Sequence, residues 1–136
     1  MGHLLLEGGE EFGGAMSAPD MHAIELCGGF DAQVCIIPTA AAPDNNHIRA
    51  GNNGVRWFQS LGAKKVFMAN VIDSKTADDE SIAASIRVSR LIYLPGGFPR
   101  HLAETLSGSA CWRAALDVYE QGGVIAGSSA GAMVLC

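Results

Sequence analysis

Ser129 is the residue of this sequence whose setting most clearly predicts chemistry. It lies in the segment 127–131, Gly-Ser-Ser-Ala-Gly, which has the pattern G-x-S-x-G. An apolar run at 124–126 precedes the motif, and a helix-compatible run at 130–135 follows it. This strand–turn–helix context is typical of a nucleophile elbow, in which small neighbours let the serine oxygen stand at the tip of a tight turn. The sequence therefore predicts that Ser129 attacks a carbonyl carbon.

The elements that must position Ser129 alternate between apolar runs and helical patterns. The runs that predict strands lie at 3–6, 34–37, 65–72, 91–94 and 124–126. They are continuously apolar rather than alternating, which is typical of parallel strands covered on both faces. The sequence predicts an α/β fold with a doubly wound, mostly parallel sheet and flavodoxin-like layering.

The helical patterns predict five helices between and after these strands. They are expected at 18–27 with Ser17 as a cap, from a cap at 44 or 45 to 61, with the acidic run 78–80 in the first turn of the third helix, after Ser107 or Ser109 as a cap, and at 130–135. Two faces are expected to be buried, and their members are Ile48, Val55 and Phe58 in the second helix and Trp112, Ala115, Leu116 and Tyr119 in the fourth. Gly51 and Gly54 are each expected to weaken the second helix by about 1 kcal/mol relative to alanine.

Composition limits the classes of protein that this chain can represent. With 136 residues, 49% hydrophobic and 17% charged, it is predicted to be one globular domain spanning 1–136. The net charge of −5 and the lack of a basic cluster argue against nucleic acid or an anionic membrane as a partner. No apolar run reaches the roughly 18 residues that span a bilayer. The four cysteines have no metal-binding spacing, so we expect reduced thiols, a cytoplasmic location, and neither metal nor cofactor.

In a parallel sheet, ligands bind beyond the carboxyl ends of the strands. The loops 7–14, 38–47, 73–77, 95–101 and 127–131 are therefore the candidate site loops. A serine nucleophile needs two N–H donors for the oxyanion that forms on the attacked carbonyl. In an elbow, one donor is the amide after the nucleophile, here Ala130. The glycine pair Gly96 and Gly97 is the best source of the second, because glycine lets the backbone approach a substrate closely.

Two segments together resemble a known family. The run 91–97, Leu-Ile-Tyr-Leu-Pro-Gly-Gly, and the run 123–132 around Ser129 look like those of the aspartyl dipeptidase and cyanophycinase family of serine peptidases. That resemblance implies a class I glutamine-amidotransferase-like fold, with serine in place of cysteine at the elbow. It implies that Ser129 is the nucleophile and that the amides of Gly97 and Ala130 form the oxyanion hole.

The resemblance also bears on the catalytic base. In that family the histidine, and any acidic partner, lies downstream of the serine, where this chain has no matching residue. We therefore expect a chain truncated after the elbow, the N-terminal part of a larger peptidase domain. The alternative is that one of His3, His22, His47 and His101 acts as the base.

Further candidates for the site are polar residues in the loops beside the elbow. Arg100 is a candidate to bind a substrate carboxylate, with a solvated arginine as the equal alternative, and His101 is a candidate for substrate contact. Glu7, Glu10 and Glu11 follow or end the first strand, where they either recognise an amino group or are simply solvated.

The resulting hypothesis is a serine-type peptidase, a dipeptidase or cyanophycinase-like amide hydrolase. It would cleave a small peptide or aspartyl-linked substrate through an acyl-serine at Ser129. The first alternative is an α/β-hydrolase esterase, which the short spacing between Gly97 and Ser129 disfavours. The second is a non-catalytic subunit or fragment that binds a partner. Because an incomplete sheet exposes apolar surface, we expect a homodimer or a complementing chain.

Overall fold

A computed structural model describes all 136 residues and contains one five-stranded sheet. All four pairings are parallel, and the strand order is β1-β5-β4-β2-β3. The strands are β1 (His3–Glu7), β2 (Gln33–Ile36), β3 (Lys65–Met68), β4 (Leu91–Leu94) and β5 (Val124–Ser128). The predicted α/β class is confirmed, although β3 ends four residues earlier than expected and β5 extends through the first two residues of the elbow motif.

Seven α-helices cover the two faces of the sheet. They are α1 (Ser17–Leu26), α2 (His47–Ser60), α3 (Ser74–Ala77), α4 (Glu80–Arg87), α5 (Pro99–Leu106), α6 (Ala110–Glu120) and α7 (Ala130–Leu135). Two short 3-10 helices, Gly14–Met16 and Thr39–Asp44, lie before α1 and α2. The core contacts place α1 and α2 on one face and α3 to α7 on the other.

Successive strand residues enter opposite cores, which explains the continuously apolar runs. In β4, Leu91 and Tyr93 pack beneath α1 and α2, whereas Ile92 and Leu94 pack beneath the other helices. All four are fully buried. Because a strand buried on both faces has no solvent-facing positions, its sequence does not alternate between apolar and polar residues.

Several details of the helices differ from the sequence-based expectation. Short α3 and α5 were not predicted, because helices of four and eight residues give little periodic signal. Ser17 does not cap α1 but lies within it, and its hydroxyl donates to Gly14 O at 2.9 Å. Ile48 and Leu116 are not inward-facing, since they are 47% and 41% exposed.

The glycines of α2 have a packing role that helix propensity alone does not show. A Cβ atom at Gly51 would lie 2.0 Å from Met68 Sδ, and one at Gly54 would lie 3.0 Å from Ile36 Cγ2. These glycines therefore allow α2 to lie close against β2 and β3. The resulting burial of the sheet outweighs the cost of about 1 kcal/mol that each glycine imposes on the helix.

Ser109, rather than Ser107, caps α6, and this defines a first prediction. Ser109 Oγ accepts the Trp112 N–H at 3.0 Å, while the Ser107 side chain makes no hydrogen bond. Ser109→Ala is expected to lower the free energy of unfolding by about 1 kcal/mol, measured by urea denaturation. The control Ser107→Ala should change it by less than about 0.5 kcal/mol. Equal effects of the two substitutions would contradict the assignment.

None of the helices combines the length and the apolar character needed to cross a membrane. All four cysteines are free, and three of them, Cys27, Cys35 and Cys111, are buried.

Candidate active site

Ser129 occupies a strained turn between β5 and α7. Its φ of 51° and ψ of −110° lie outside the regions that a non-glycine residue normally adopts, a conformation that costs about 1–3 kcal/mol. Two backbone hydrogen bonds hold the turn, since the Ser129 N–H donates to Glu7 O at 3.0 Å and the Met133 N–H donates to Ser129 O at 3.0 Å. The side chain is exposed beyond the carboxyl end of the sheet. This geometry is that of a nucleophile elbow.

The small residues around Ser129 are required by close backbone packing. A Cβ atom at Gly131 would lie 2.0 Å from Leu94 O, and one at Gly127 would lie 2.5 Å from the Gly131 carbonyl carbon. A Cβ atom at Gly96 would lie 3.1 Å from Ser129 Cβ and 3.6 Å from Ser129 Oγ. The loop after β4 therefore lies directly against the serine, as the spacing of the two glycine motifs suggested.

Two backbone amides near Ser129 lack a partner within the protein. Ala130 is the first residue of α7, so its N–H has no acceptor within the helix. Gly97, at φ +146°, has no hydrogen bond at its N–H, and a Cβ atom there would lie 2.2 Å from Ala40 O. The next residue fixes the loop, because the Phe98 N–H donates to Ala40 O at 2.7 Å.

Glu11 ties three of the site loops together. Its Oε2 accepts the Gly96 N–H at 2.9 Å and also accepts the Ser128 hydroxyl. The Gly96 amide is thus occupied, which leaves Gly97 as the free donor of the glycine pair. From the sequence, Glu11 was expected either to recognise an amino group or to be simply solvated. In the structure, one of its two oxygens instead binds Gly96 and Ser128 beside the elbow.

A pair of buried carboxyl groups lies beneath the elbow. Glu7 Oε1 accepts the Tyr93 hydroxyl at 2.6 Å, and Asp20 Oδ2 accepts the Trp57 indole N–H at 2.7 Å. The other two oxygens, Glu7 Oε2 and Asp20 Oδ1, are buried and accept from no surrounding N–H or O–H group, which leaves the two carboxyl groups to pair with each other. Burial, followed by the hydrogen bond to Glu7, raises the pKa of Asp20 to about 8. Asp20 therefore carries a proton near neutral pH and donates it to Glu7.

The same buried cluster affects Tyr93, which was not a site candidate in the sequence. Burial, together with the hydrogen bond to Glu7, raises the pKa of Tyr93 well above its ordinary value. Tyr93 is thus a neutral donor that holds the last side chain of β1. The Glu7 backbone carbonyl in turn accepts the Ser129 N–H, so the cluster supports the Ser129 turn from below.

None of the four histidines forms a hydrogen bond with Ser129. His3 begins β1 opposite Val124, five residues or about 16 Å of strand from the elbow. His22 is exposed and lies 3.7 Å from Glu25. His47 begins α2, and its Nδ1 is buried without a hydrogen bond. His101 Nε2 lies 2.8 Å from Ile72 O, in the segment that follows β3. Two strands, β4 and β2, lie between β3 and β5 in the sheet.

Arg100 and His101, the candidates for substrate contact, are turned to other partners. The Arg100 Nε donates to Glu104 at 2.8 Å, and its side chain is 90% exposed. This exposure favours the alternative that Arg100 is a solvated surface arginine. His101 is half-buried between Ile72 O and Thr105 Oγ1. The structure therefore adds no support for substrate contact by either residue.

A polar cavity of about 660 Å³ that was not anticipated from the sequence has Glu11 in its wall. It lies between the loop after β1 and one face of α2. Its lining residues are Glu11, Phe12, Asn46, Arg49, Ala50, Asn53, Arg56 and Trp57. Glu11 lines this cavity and also binds Ser128 and the Gly96 amide, so one residue is shared between the cavity wall and the loops beside Ser129. No cluster of three or more His, Cys, Asp or Glu side chains is placed to hold a metal ion.

A parallel α/β sheet with a strained serine turn and free amides beside it is the arrangement described for nucleophile elbows. The model of peptidase family S51 matches residues 4–136. The chain belongs to this family, as the resemblance in the sequence predicted.

Solved structures agree with this assignment. A peptidase from an acI-B1 Actinobacterium is 31% identical over 99% of this chain, with a TM-score of 0.90. A putative Peptidase E protein from Listeria monocytogenes EGD-e is 22% identical over 96% of the chain, with a TM-score of 0.68, and this second likeness concerns the fold. The chain spans 57% of the first protein and 60% of the second. No curated protein sequence matches this chain significantly.

Proposed function

We propose that this chain carries the nucleophile and oxyanion hole of a serine peptidase that cleaves an amide bond in a small peptide or aspartyl-linked compound. The strained Ser129 elbow carries the proposal, because this geometry has a cost that a simple turn would not need. The Ser129 oxygen attacks the carbonyl carbon and loses its proton to a base. The oxyanion accepts hydrogen bonds from the Gly97 and Ala130 amides, and collapse to the acyl-serine releases the protonated amine.

The base is proposed to come from outside these 136 residues. His3 lies at the start of β1, His22 and His101 have Glu25 and Ile72 O as partners, and no hydrogen bond joins His47 or any other histidine to Ser129. Exposed apolar side chains support a complementing segment or second chain as its source. Leu4 and Leu6 on the edge strand β1 are 49% and 47% exposed, and Met133 on α7 is 63% exposed.

Membership of a peptidase family favours amide hydrolysis over the esterase alternative. The purely partner-binding alternative does not explain why Ser129 is held in a strained conformation beside two free amides.

A fluorophosphonate probe tests the proposed nucleophile. The protein isolated from its source is expected to become labelled at Ser129, located by mass spectrometry of its peptides, because the probe traps an activated serine. Ser129→Ala should abolish labelling, and the exposed-site control Ser107→Ala should retain it. A folded protein that remains unlabelled at Ser129 would refute the proposed function.

The origin of the base is tested on the 136-residue chain alone. Added imidazole is expected to accelerate labelling of Ser129, because it supplies the general base that the chain does not bring to the serine. Labelling that is already rapid and is insensitive to imidazole would show that a group within the chain activates Ser129.

A further inference from the structure

The cavity between α2 and the loop after β1 holds two arginines that no acidic group neutralises. Arg49 and Arg56 line it, and neither forms an ion pair, although the chain has a net charge of −5. Their spacing of seven residues is two turns of helix, so both lie on the face of α2 that borders the cavity. An unpaired guanidinium facing a cavity is suited to bind a carboxylate through two parallel hydrogen bonds.

Asparagines accompany the arginines along the same face. Asn46 and Asn53 also line the cavity and are also seven residues apart. The Arg56 Nη2 donates to Asn53 Oδ1 at 2.6 Å, which fixes the guanidinium of Arg56 against the cavity wall. The small side chain of Ala50 also lines the cavity. The wall of the cavity therefore contains two cationic side chains and two neutral amide side chains, and Glu11 is its one acidic residue.

That acid, Glu11, connects the cavity to the nucleophile. One of its oxygens holds the Gly96 amide and the Ser128 hydroxyl beside Ser129, and its other oxygen has no partner in the protein. Glu11 is therefore the one residue that lies both in the wall of the cavity and against the loops that hold Ser129. Of the charged residues in the cavity wall, Glu11 is negative and Arg49 and Arg56 are positive.

We propose that this α2 cavity is a substrate subsite in which Arg49 and Arg56 bind a carboxylate of the peptide. This inference rests on the proposed function, because it takes Ser129 as the point of attack. The carboxylate comes from the C-terminus of the peptide or from an acidic side chain. In either case the positive face of α2 selects an anionic group at a fixed distance from the scissile bond.

The test measures binding to the 136-residue chain by titration calorimetry in a Ser129→Ala background, which prevents turnover. The probes are alanyl-alanine, aspartyl-alanine amide and alanyl-alanine amide, which carry a C-terminal carboxylate, a side-chain carboxylate and no carboxylate. At least one carboxylate probe is expected to bind, and alanyl-alanine amide is expected to bind at least about tenfold more weakly. The stronger of the two carboxylate probes identifies the source of the anionic group.

The arginines are tested in the same background. Arg49→Gln and Arg56→Gln should each weaken carboxylate binding about tenfold, and added salt should weaken it further. Arg113→Gln is the matched control, because Arg113 is an exposed arginine of α6 that bonds to Gly108 O and is absent from the cavity. Equal binding of all three probes, no binding of any, or unchanged affinity in both cavity variants would overturn the subsite.

The subsite and the proposed function fail separately. Loss of fluorophosphonate labelling with arginine-dependent binding intact would remove the peptidase proposal while the anion site remained. If Ser129 is labelled but the arginine variants bind the carboxylate probes as tightly as the parent does, the subsite is refuted and the peptidase proposal stands.

Discussion

Gly131→Ala is expected to lower the free energy of unfolding by about 3 kcal/mol or more, at the upper end of the cost of overpacking. The new Cβ atom would lie 2.0 Å from Leu94 O and 2.9 Å from the Leu94 carbonyl carbon. These are backbone atoms of β4 in the middle of the sheet, so neither can move without disturbing the strand pairing. The gain in helix propensity from alanine, about 1 kcal/mol, is too small to offset this clash.

Urea denaturation of the variant checks the expectation, with Gly14→Ala as the control. A Cβ atom at Gly14 meets nothing within 4 Å, so that substitution should change the free energy of unfolding by less than about 0.5 kcal/mol. If Gly131→Ala were as stable as the control, α7 would not pack against β4 as described. The orientation of the elbow would then need a different explanation.

Asp20→Asn is expected to remove most of a pH dependence of stability. The folded-state pKa of Asp20 is raised from 3.8 to about 8, chiefly by burial. Between these values the folded protein keeps a proton that the unfolded chain has lost. The stabilisation is therefore complete below about pH 4 and is lost as the pH rises through about 8. In the variant, the amide oxygen can still accept from Trp57, and an amide N–H can donate to Glu7 Oε2 in place of the carboxyl proton.

Unfolding midpoints in urea, measured from about pH 4 to about pH 9, check this prediction. The wild-type midpoint should fall over that interval, and the Asp20→Asn midpoint should fall much less. Asp31→Asn is the matched control, because Asp31 is an exposed carboxylate 3.4 Å from Lys64, and its curve should follow the wild type. A variant curve that parallels the wild type would show that Asp20 does not hold the proton.

The local sequence pattern was sufficient to predict those elements whose structure depends on residues close together in the chain. Buried strands such as β4 were predicted to the residue, because a run of apolar side chains between a charged segment and Pro95 has few other interpretations. The strand–turn–helix at Ser129 was also predicted, since small residues at fixed offsets are a local requirement. Short α5 was missed because eight residues carry too little periodicity, and its start depends on Pro99 in the first turn.

The sequence by itself determined the α/β class, the elbow at Ser129 and the pairing of Gly97 with Ala130 as expected donors. Only the tertiary structure decided which polar residues surround them. The Glu11–Ser128 contact joins residues 117 positions apart, and the Glu7–Tyr93 contact joins residues 86 apart. Neither contact leaves a periodic trace in the chain, because the order of the strands brings these loops to one edge of the sheet. The arginine face of α2 likewise became a candidate subsite only when the sheet placed it beside Glu11.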